Sequence, residues 1–266
     1  MRFSNFHTHT VYSDGKHTMR ENVESAIEKN MSAIGFSDHS FTGCDASYCM
    51  LPGDYEKYIL EARELREEYK EKIAVFVGME KDFYTTNIPE GLDYIIASSH
   101  YIIRSGKCFP IDHTLAQQEE CVADAFGGSV MDMAKFYYDS VVEHVMRVRA
   151  DIIGHFDVIN KFSYMPEQDE KYIELAEGAM IEALKYCKRV EVNTGAIARG
   201  WRKDPYPSIH LLKTVKAHGG EIILSSDSHN KANLDFAFAE AVDLIRAAGF
   251  DSVVTLSDSG FKTVPI

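Results

Sequence analysis

Nine side chains that could bind divalent metal ions recur through the sequence, and most of them follow short apolar runs. They are seven histidines and two carboxylates: His7, His9, His17, His39, Glu80, His100, His155, Asp227 and His229. His7 and His9 are two residues apart, as are Asp227 and His229, so in an extended segment each pair points to one side. Imidazole and carboxylate groups suit Zn, Fe or Mn, whereas a soft site would use cysteine. Because one ion takes about three or four protein ligands, this set predicts two or three ions.

The apolar runs are short and rich in β-branched residues, which is typical of buried strands. They are Phe3–Phe6, Ala33–Phe36, Ile73–Val77, Tyr94–Ala97, Ile152–Ile153, Val190–Val192, Ile222–Leu224 and Val253–Leu256. Amphipathic segments typical of helices lie between most of them: Met19–Asn30, Asp54–Glu71, Met133–Arg149, Asp169–Cys187, Ser208–His218 and Leu234–Ala248. This alternation predicts an α/β fold with a parallel sheet covered by helices. Seven or eight such units favour a closed barrel, whose active site would lie at the C-terminal ends of the strands.

One connection is much longer than the others. Residues Tyr101–Asp132 separate the fourth strand from the next strong helical pattern, and loops of this length are usually functional or mobile. The segment contains Arg104, Phe109, Asp112 and His113, a mixture suited to a small polar ligand. An exposed lid without specific contacts is the alternative.

Composition and charge narrow the function classes. The 266 residues are 45% hydrophobic and 26% charged, as in an ordinary globular protein, and we expect one domain over residues 1–266. The net charge is −13 and no basic cluster is present, so long nucleic acid is not an expected partner. No stretch reaches the roughly 18–20 apolar residues of a membrane span, and the first residues lack an apolar signal region, which predicts a cytoplasmic protein. Five cysteines without a C-x-x-C pair predict reduced thiols.

The polar motifs together resemble the polymerase-and-histidinol-phosphatase (PHP) superfamily over nearly the whole chain. The motifs are His7-Thr8-His9-Thr10 with Asp14 and His17, Ser37-Asp38-His39, Glu80, Ser99-His100, Gly154-His155 and Ser226-Asp227-Ser228-His229. The element Gly78-Met79-Glu80, the long segment after His100 and the motif Asn193-Thr194-Gly195 are similar to its histidinol-phosphate phosphatase branch. The resemblance implies a distorted (β/α)7 TIM-like barrel with a trinuclear metal site. Val253–Leu256 would then be an appendage or a closing edge strand.

The resemblance also implies how the ligands are divided among three ions. The first ion would take His7, His9, Glu80 and Asp227, and Glu80 would bridge to a second ion held by His100 and His155. The third ion would take His17, His39 and His229. Asp14 and Asp38 stand beside ligands in the sequence, where they could orient His17 and His39 or take part in proton transfer. The alternative for both is a carboxylate that caps a loop.

Four side chains are candidates for binding a phosphate ester. Arg199 follows the sixth strand and has glycines on either side, and its planar guanidinium suits phosphate oxygens. Lys161 follows the fifth strand at a position where the resembling branch often has Arg. Arg104 and His113 lie in the long connection. A solvated loop arginine is the alternative for Arg199.

The function that the resemblance implies is hydrolysis of a phosphate monoester, L-histidinol phosphate of histidine biosynthesis in particular. Divalent ions lower the pKa of water and so provide a nucleophile, while a cation stabilises charge on the phosphate oxygens. Nucleotide 3′,5′-bisphosphates, oligonucleotides and phosphotyrosyl proteins are alternative substrates within the superfamily. An amidohydrolase would need a strand-end lysine that the sequence does not show. A non-catalytic metal-binding domain is a further alternative, although no ligand position has been lost.

Overall fold

The computed structural model describes residues 2–85 and 87–266. These residues form eleven strands: β1 (Ser4–Asn5), β2 (Ala33–Phe36), β3 (Ala74–Asp82), β4 (Tyr94–Ser98), β5 (Tyr101–Arg104), β6 (Lys107–Pro110), β7 (Ile152–Ile153), β8 (Arg189–Asn193), β9 (Glu221–Ser225), β10 (Ser252–Ser257) and β11 (Gly260–Pro265). They also form eight α-helices: α1 (Met19–Glu28), α2 (Tyr55–Tyr69), α3 (Leu115–Phe126), α4 (Val130–Val148), α5 (Glu170–Ala183), α6 (Gly195–Ala198), α7 (Ile209–Ala217) and α8 (Phe238–Ala247). Short 3-10 turns lie at Pro52–Asp54, Val158–Asn160 and Lys231–Asn233.

Seven parallel strands curl into the predicted distorted barrel. Their order in the sheet is β1, β2, β3, β4, β7, β8 and β9, and each neighbouring pair is parallel. The barrel closes just beyond β1 and β9, where Thr8 and Ser228 form a parallel bridge. The His9 amide donates to the Ser228 carbonyl at 2.8 Å, and the Ser228 amide donates to the His7 carbonyl at 3.1 Å. The closing bridge therefore joins the two segments that carry both paired ligand motifs.

The eighth predicted run is an appendage. It forms β10, which is parallel to β9 through the single pair Val254 and Ile223 and antiparallel to β11 along its whole length. The seven barrel runs are recovered with small shifts in their ends. The largest extension is in β3, which continues to Asp82 because Gly78 to Asp82 pair in register with Tyr94 to Ser98 of β4.

The segment Tyr101–Asp132 is not the unstructured connection that we expected. Strands β5 and β6 form an antiparallel hairpin, and α3 follows, capped by the side chain of Thr114 and by Gly127 in the left-handed conformation. Helix α4 then begins at Val130, earlier than predicted. Only Gln118, Cys121 and Val122 of α3 are buried, so its apolar face is too narrow to show in the sequence.

Two of the five cysteines are joined, which corrects the prediction of reduced thiols. Cys44 and Cys108 form a disulfide across 64 residues with their Cα atoms 5.7 Å apart, whereas Cys49, Cys121 and Cys187 are free and buried. The bond ties the segment after β2 to the β5–β6 hairpin, a proximity that spacing alone does not reveal. Within the described residues, no helix is long and apolar enough to cross a membrane. A single domain over residues 1–266 stays a prediction.

Candidate active site

The C-terminal ends of the barrel strands bring eight of the nine ligand candidates to one place. His7 and His9 follow β1, His39 follows β2, Glu80 lies within β3, His100 follows β4, His155 follows β7, and Asp227 and His229 follow β9. All but His229 are buried. Five of them, His39, His100, His155, Asp227 and His229, line a cavity of about 490 Å³, so a small ligand can reach this part of the cluster.

The gathered side chains form four overlapping groups in which the ligand atoms lie within 4.8 Å of one another. The groups are His7, His9 and Asp227; His7, Glu80 and His155; His39, Glu80 and His100; and His9, Asp14, His39 and His229. Each group mixes imidazole with carboxylate, the ligand set that Zn, Fe and Mn accept. The overlap shows that the groups share one centre.

Glu80 lies in the middle of this centre. Its Oε1 is 2.8 Å from His155 Nε2 and 3.4 Å from His100 Nε2. Its Oε2 is 2.8 Å from His39 Nδ1 and 3.2 Å from His7 Nε2. Burial disfavours the charged carboxylate, but the neighbouring imidazoles of His7, His39 and His100 outweigh it and hold the pKa of Glu80 well below its ordinary value. An ionised carboxylate with histidines on both oxygens can bridge two cations.

Among the described residues, several buried histidine nitrogens have no hydrogen-bond partner. They include His7 Nε2 and both nitrogens of His9. Burial, followed by His229 and His39, lowers the pKa of His9 to about 3, so its ring is neutral and its lone pair is free to bind a cation. Buried polar atoms are normally satisfied, and a bound divalent ion is the partner that this donor set fits.

Asp14 belongs to the gathered groups, and His17 does not. Asp14 Oδ2 is 3.0 Å from His229 Nε2, and its Oδ1 is 3.7 Å from His9 Nδ1. His39 and His229 outweigh burial and lower the pKa of Asp14. His17 instead accepts a 3.4 Å hydrogen bond from the Lys231 amide through Nδ1 and is absent from every group. The turn after β1 thus presents Asp14 to the centre and leaves His17 beside the start of α1.

Asp38 supports that turn rather than the ring of His39. Its carboxylate accepts hydrogen bonds from the Thr10 amide at 2.8 Å, the Thr10 hydroxyl at 2.9 Å and the Ser13 hydroxyl at 2.6 Å. Burial raises the pKa of Asp38 to about 6, although these hydrogen bonds oppose the change. The segment between His9 and Asp14 is therefore fixed by a buried carboxylate.

Arg199 lies at the edge of the metal-ligand cluster. Its Nη2 is 2.9 Å from Asp227 Oδ2, and its Nη1 is 3.3 Å from His229 Nδ1. A Cβ atom on Gly195 would lie 2.9 Å from Arg199 Nη2, so the glycine provides the space for this approach. Arg199 also lines the cavity, where its remaining N–H groups can meet an anion.

The other three candidates for binding phosphate separate in the structure. Lys161 and His113 line the cavity, and Lys161 Nζ donates to the Asp112 carbonyl at 2.5 Å. Arg104 lies elsewhere, with its guanidinium 4.7 Å from the centre of the Phe126 ring, in a separate surface depression. The structure thus brings Arg199, Lys161 and His113 together and leaves Arg104 out.

Three further residues belong to the site, although the sequence reasoning did not select them for it. Glu191 Oε1 is 2.5 Å from His7 Nδ1, and Asp82 Oδ2 is 3.2 Å from His100 Nδ1. The ring of Tyr48 lies 4.8 Å from that of His39, edge to face. Asp82 could have been found, because it is two residues beyond Glu80 on the same face of β3. Glu191 is a lone acid within an apolar strand, which is also a readable signal.

Comparison with known proteins agrees with this geometry. A family model described as PHP domain matches residues 5–195. A Deinococcus radiodurans protein named "Probable histidinol-phosphatase" is 30% identical over 258 residues, which are 91% of this chain and 92% of that protein. A Lactococcus lactis protein named "Histidinol-phosphatase" is 26% identical and covers 97% of this chain and 95% of its own length.

A solved structure shares the fold. It is the histidinol phosphate phosphatase of Lactococcus lactis complexed with Zn, L-histidinol and phosphate, with a TM-score of 0.72, 22% identity and coverage of 98% of this chain and 99% of that one. The family model's span includes six of the gathered ligand candidates, His7, His9, His39, Glu80, His100 and His155, whereas β9 with Asp227 and His229 lies beyond it. The chain belongs to the PHP domain family.

Proposed function

We propose that this protein is a metal-dependent phosphomonoesterase that hydrolyses L-histidinol phosphate to L-histidinol and phosphate. The observation that carries the proposal is the position of Glu80, whose two carboxylate oxygens lie against four imidazoles, three of which, those of His39, His100 and His155, line an open cavity. The relatives named histidinol-phosphatase and the Lactococcus lactis structure that contains Zn, L-histidinol and phosphate support the choice of substrate.

The centre would hold two or three divalent ions, Zn, Fe or Mn. The group of His7, His9 and Asp227 points to one ligand set, and the contacts of His100 and His155 with Glu80 Oε1 point to Glu80, His100 and His155 as another. His39, His229 and Asp14 form the third, so Asp14 takes the place that the family resemblance assigned to His17. When bound, the ions would lower the pKa of water and neutralise phosphate charge.

The residues around the centre would bind and orient the ester. Arg199 would donate to non-bridging phosphate oxygens, since its guanidinium is held at the ligand cluster by Asp227. Lys161, in the segment after the neighbouring strand β7, would add a second cation. Tyr48, Asp112 and His113 also line the cavity, and an aromatic ring, a carboxylate and an imidazole suit the amine and imidazole of the leaving alcohol.

Other phosphate esters would need a different surface around the same centre. Nucleotide 3′,5′-bisphosphates, oligonucleotides and phosphotyrosyl proteins remain the alternative substrates, because the metal chemistry would be unchanged. The net charge of −13 disfavours a long polyanion. Exclusion of nucleic acid and a cytoplasmic location both stay predictions.

The experiment is a comparison of wild-type protein with Glu80→Gln after reconstitution with Mn, Fe or Zn. We expect chelator-sensitive phosphate release from L-histidinol phosphate by the wild type. The variant should lose at least about 100-fold in kcat together with bound metal, because an amide cannot bridge two cations as a carboxylate does. His218→Gln is the matched control, since His218 is exposed at the end of α7 and, within the described residues, its ring bonds to the Thr214 carbonyl alone. A Glu80→Gln variant with wild-type turnover and metal content would contradict the proposal.

A further inference from the structure

Glu191 of β8 has an unusual environment for a buried acid. The residue is 1% exposed and lies between Val190 and Val192 in an otherwise apolar stretch. Its Oε1 receives His7 Nδ1 at 2.5 Å and the hydroxyl of Ser225. Its Oε2 receives the His155 amide at 2.8 Å and the Asn193 side-chain amide at 3.0 Å. Each oxygen therefore has two donors.

Burying a carboxylate in this way costs folding free energy, and a role in the site would explain why the acid is there. Removing a carboxylate from water costs several kcal/mol by order of magnitude, and an apolar side chain of similar volume would fit such a position without that cost. Among the described residues, Glu191 makes no ion pair with Lys or Arg, and its one charged contact is the ring of His7. The position of the charge is thus explained by the imidazole it faces.

The contact determines which nitrogen of His7 faces the centre. With Nδ1 engaged by Glu191, Nε2 lies 3.2 Å from Glu80 Oε2 and 3.7 Å from Asp227 Oδ1. Two carboxylates facing an unpartnered ring nitrogen leave a gap that suits a cation. A histidine that binds a metal is commonly oriented in this way by a carboxylate on its other nitrogen.

Glu191 also reaches a second ligand candidate through the backbone. The His155 amide that donates to Oε2 belongs to the residue whose Nε2 is 2.8 Å from Glu80. The Glu191 carboxylate is thereby hydrogen-bonded both to the segment after β1 and to the segment after β7. We propose that Glu191 is a positioning residue, which fixes the orientation and protonated nitrogen of His7 and the place of His155 so that both face the metal centre.

This inference rests on the metal site of the proposed function, and it can be tested without measuring turnover. Zinc and manganese affinities would be measured by competition with a chromophoric chelator for the wild type and Glu191→Gln. The substitution keeps the shape but replaces the charge and turns one acceptor into a donor. We expect both affinities to fall about 10–100-fold, the range typical of losing such a partner. The melting temperature of the metal-free variant should change much less.

Asp151→Asn is the matched control. Asp151 also accepts a backbone amide from a neighbouring strand, that of Ile95 at 2.9 Å, but it lies at the opposite end of β7 from His155. The metal affinities of the Asp151→Asn variant should equal those of the wild type. If Glu191→Gln does not fold, Glu191→Asp takes its place, because a side chain shorter by one methylene withdraws the charge from His7.

Affinity in the Glu191 variant within twofold of the wild type would overturn the inference while leaving the proposed function intact. An equal loss in Asp151→Asn would also overturn it, since the effect would then follow any carboxylate that accepts a backbone amide from a neighbouring strand. A wild-type protein that binds neither ion would overturn the proposed function itself and this inference with it. The two kinds of failure are therefore distinguishable.

Discussion

At the scale of single residues, charge balance explains why carboxylates and imidazoles can crowd together inside a barrel. Glu80, Asp227 and Asp14 bring three negative charges to a small volume, where isolated anions would be costly. Neighbouring histidines and Arg199 hold the pKa values of Glu80 and Asp227 well below their ordinary range. Divalent ions would serve the same purpose more strongly, and the neutral ring of His9 is already prepared for them.

Arg199 provides a prediction at this scale. Arg199→Met should reduce kcat/KM for L-histidinol phosphate by about 10–100-fold, mainly by raising KM, because one charge-assisted hydrogen bond contributes roughly 1.5–3 kcal/mol. Bound metal should not change, since Arg199 contacts Asp227 through Oδ2 rather than Oδ1, the oxygen that faces His7 and His9. It contacts His229 through Nδ1 rather than Nε2, the nitrogen that faces Asp14. Steady-state kinetics and metal analysis of the same preparations measure both quantities.

Arg104→Met is the control for Arg199. Arg104 lies over the Phe126 and Phe136 rings and should leave KM unchanged. Unaltered kinetics in Arg199→Met, or an equal rise in KM in Arg104→Met, would show that the cavity does not bind phosphate as proposed.

Much of the site can be read from the sequence at the residue scale. Spacing of two in His7 and His9 and in Asp227 and His229 predicts that each pair reaches one place, and both pairs do so, although Asp227 is in the left-handed region (φ 46°) rather than extended. The position of Asp14 in the cluster, with His17 outside it, cannot be read in this way. It depends on the turn at residues 10–15. There the Gly15 amide donates to the Thr10 carbonyl at 2.9 Å, and the Asp38 carboxylate accepts hydrogen bonds from Thr10 and Ser13.

At the scale of elements, helix α4 packs on the strand that carries Glu80. His144 of α4 is buried, and its Nε2 donates to the Lys81 carbonyl of β3 at 2.7 Å. Burial lowers the pKa of His144 to about 4. The ring is thus neutral in the folded protein at pH values where an unfolded chain would protonate it, so acid should destabilise this packing.

The sign of the pH effect follows from the two pKa values. Above pH 6.5 the ring is neutral in both states and contributes no pH dependence. As the pH falls from 6.5 towards 4, the His144 ring binds a proton in the unfolded chain but stays neutral in the folded protein. The free energy of unfolding therefore decreases. We expect His144 to contribute a decrease of about 2 kcal/mol between pH 7 and pH 5.

Denaturant unfolding of the wild type and His144→Gln at both pH values measures this contribution. The two proteins differ only at residue 144, so the difference between the two pH dependences isolates His144. Glutamine can still donate to the Lys81 carbonyl and should flatten the dependence. Parallel pH dependences in the two proteins would show that His144 is not the group responsible.

The disulfide gives a second prediction for elements. Cys44 and Cys108 close a loop of 64 residues, and the chain-entropy argument assigns such a crosslink about 4 kcal/mol. A reductant should therefore lower the melting temperature of the wild type by several degrees. The same reductant should leave the double variant Cys44→Ser, Cys108→Ser unchanged. Equal melting temperatures of the wild type with and without reductant would mean that the crosslink does not stabilise the fold.

The elements differ in how well the sequence predicts them. The barrel strands are continuous β-branched runs because helices cover them, and such runs are easy to recognise. The β5–β6 hairpin and α3 were missed, since their buried positions are few and are separated by polar residues such as Lys107 and Gln117. The disulfide depends on the packing of that hairpin against the segment after β2, so it could not be predicted before the hairpin was known.

At the scale of the whole molecule, the contact that closes the barrel also brings ligand candidates together. The bridge between Thr8 and Ser228 closes the sheet, and in doing so it places His7 and His9 beside Asp227 and His229. Alternation of strands and helices predicts a barrel, but no local pattern indicates which two segments close it. The appended strands β10 and β11 lie outside this closure and contribute no ligand candidate among the described residues.

The most direct test of the account is substrate preference in the metal-loaded wild-type protein. Phosphate release from L-histidinol phosphate, adenosine 3′,5′-bisphosphate and phosphotyrosine would be compared as kcat/KM under identical conditions, each with a chelator control. We predict chelator-sensitive hydrolysis that favours L-histidinol phosphate by at least about 100-fold, which corresponds to roughly 2.7 kcal/mol of transition-state discrimination. A preference for either of the other esters, or hydrolysis that survives chelation, would contradict it.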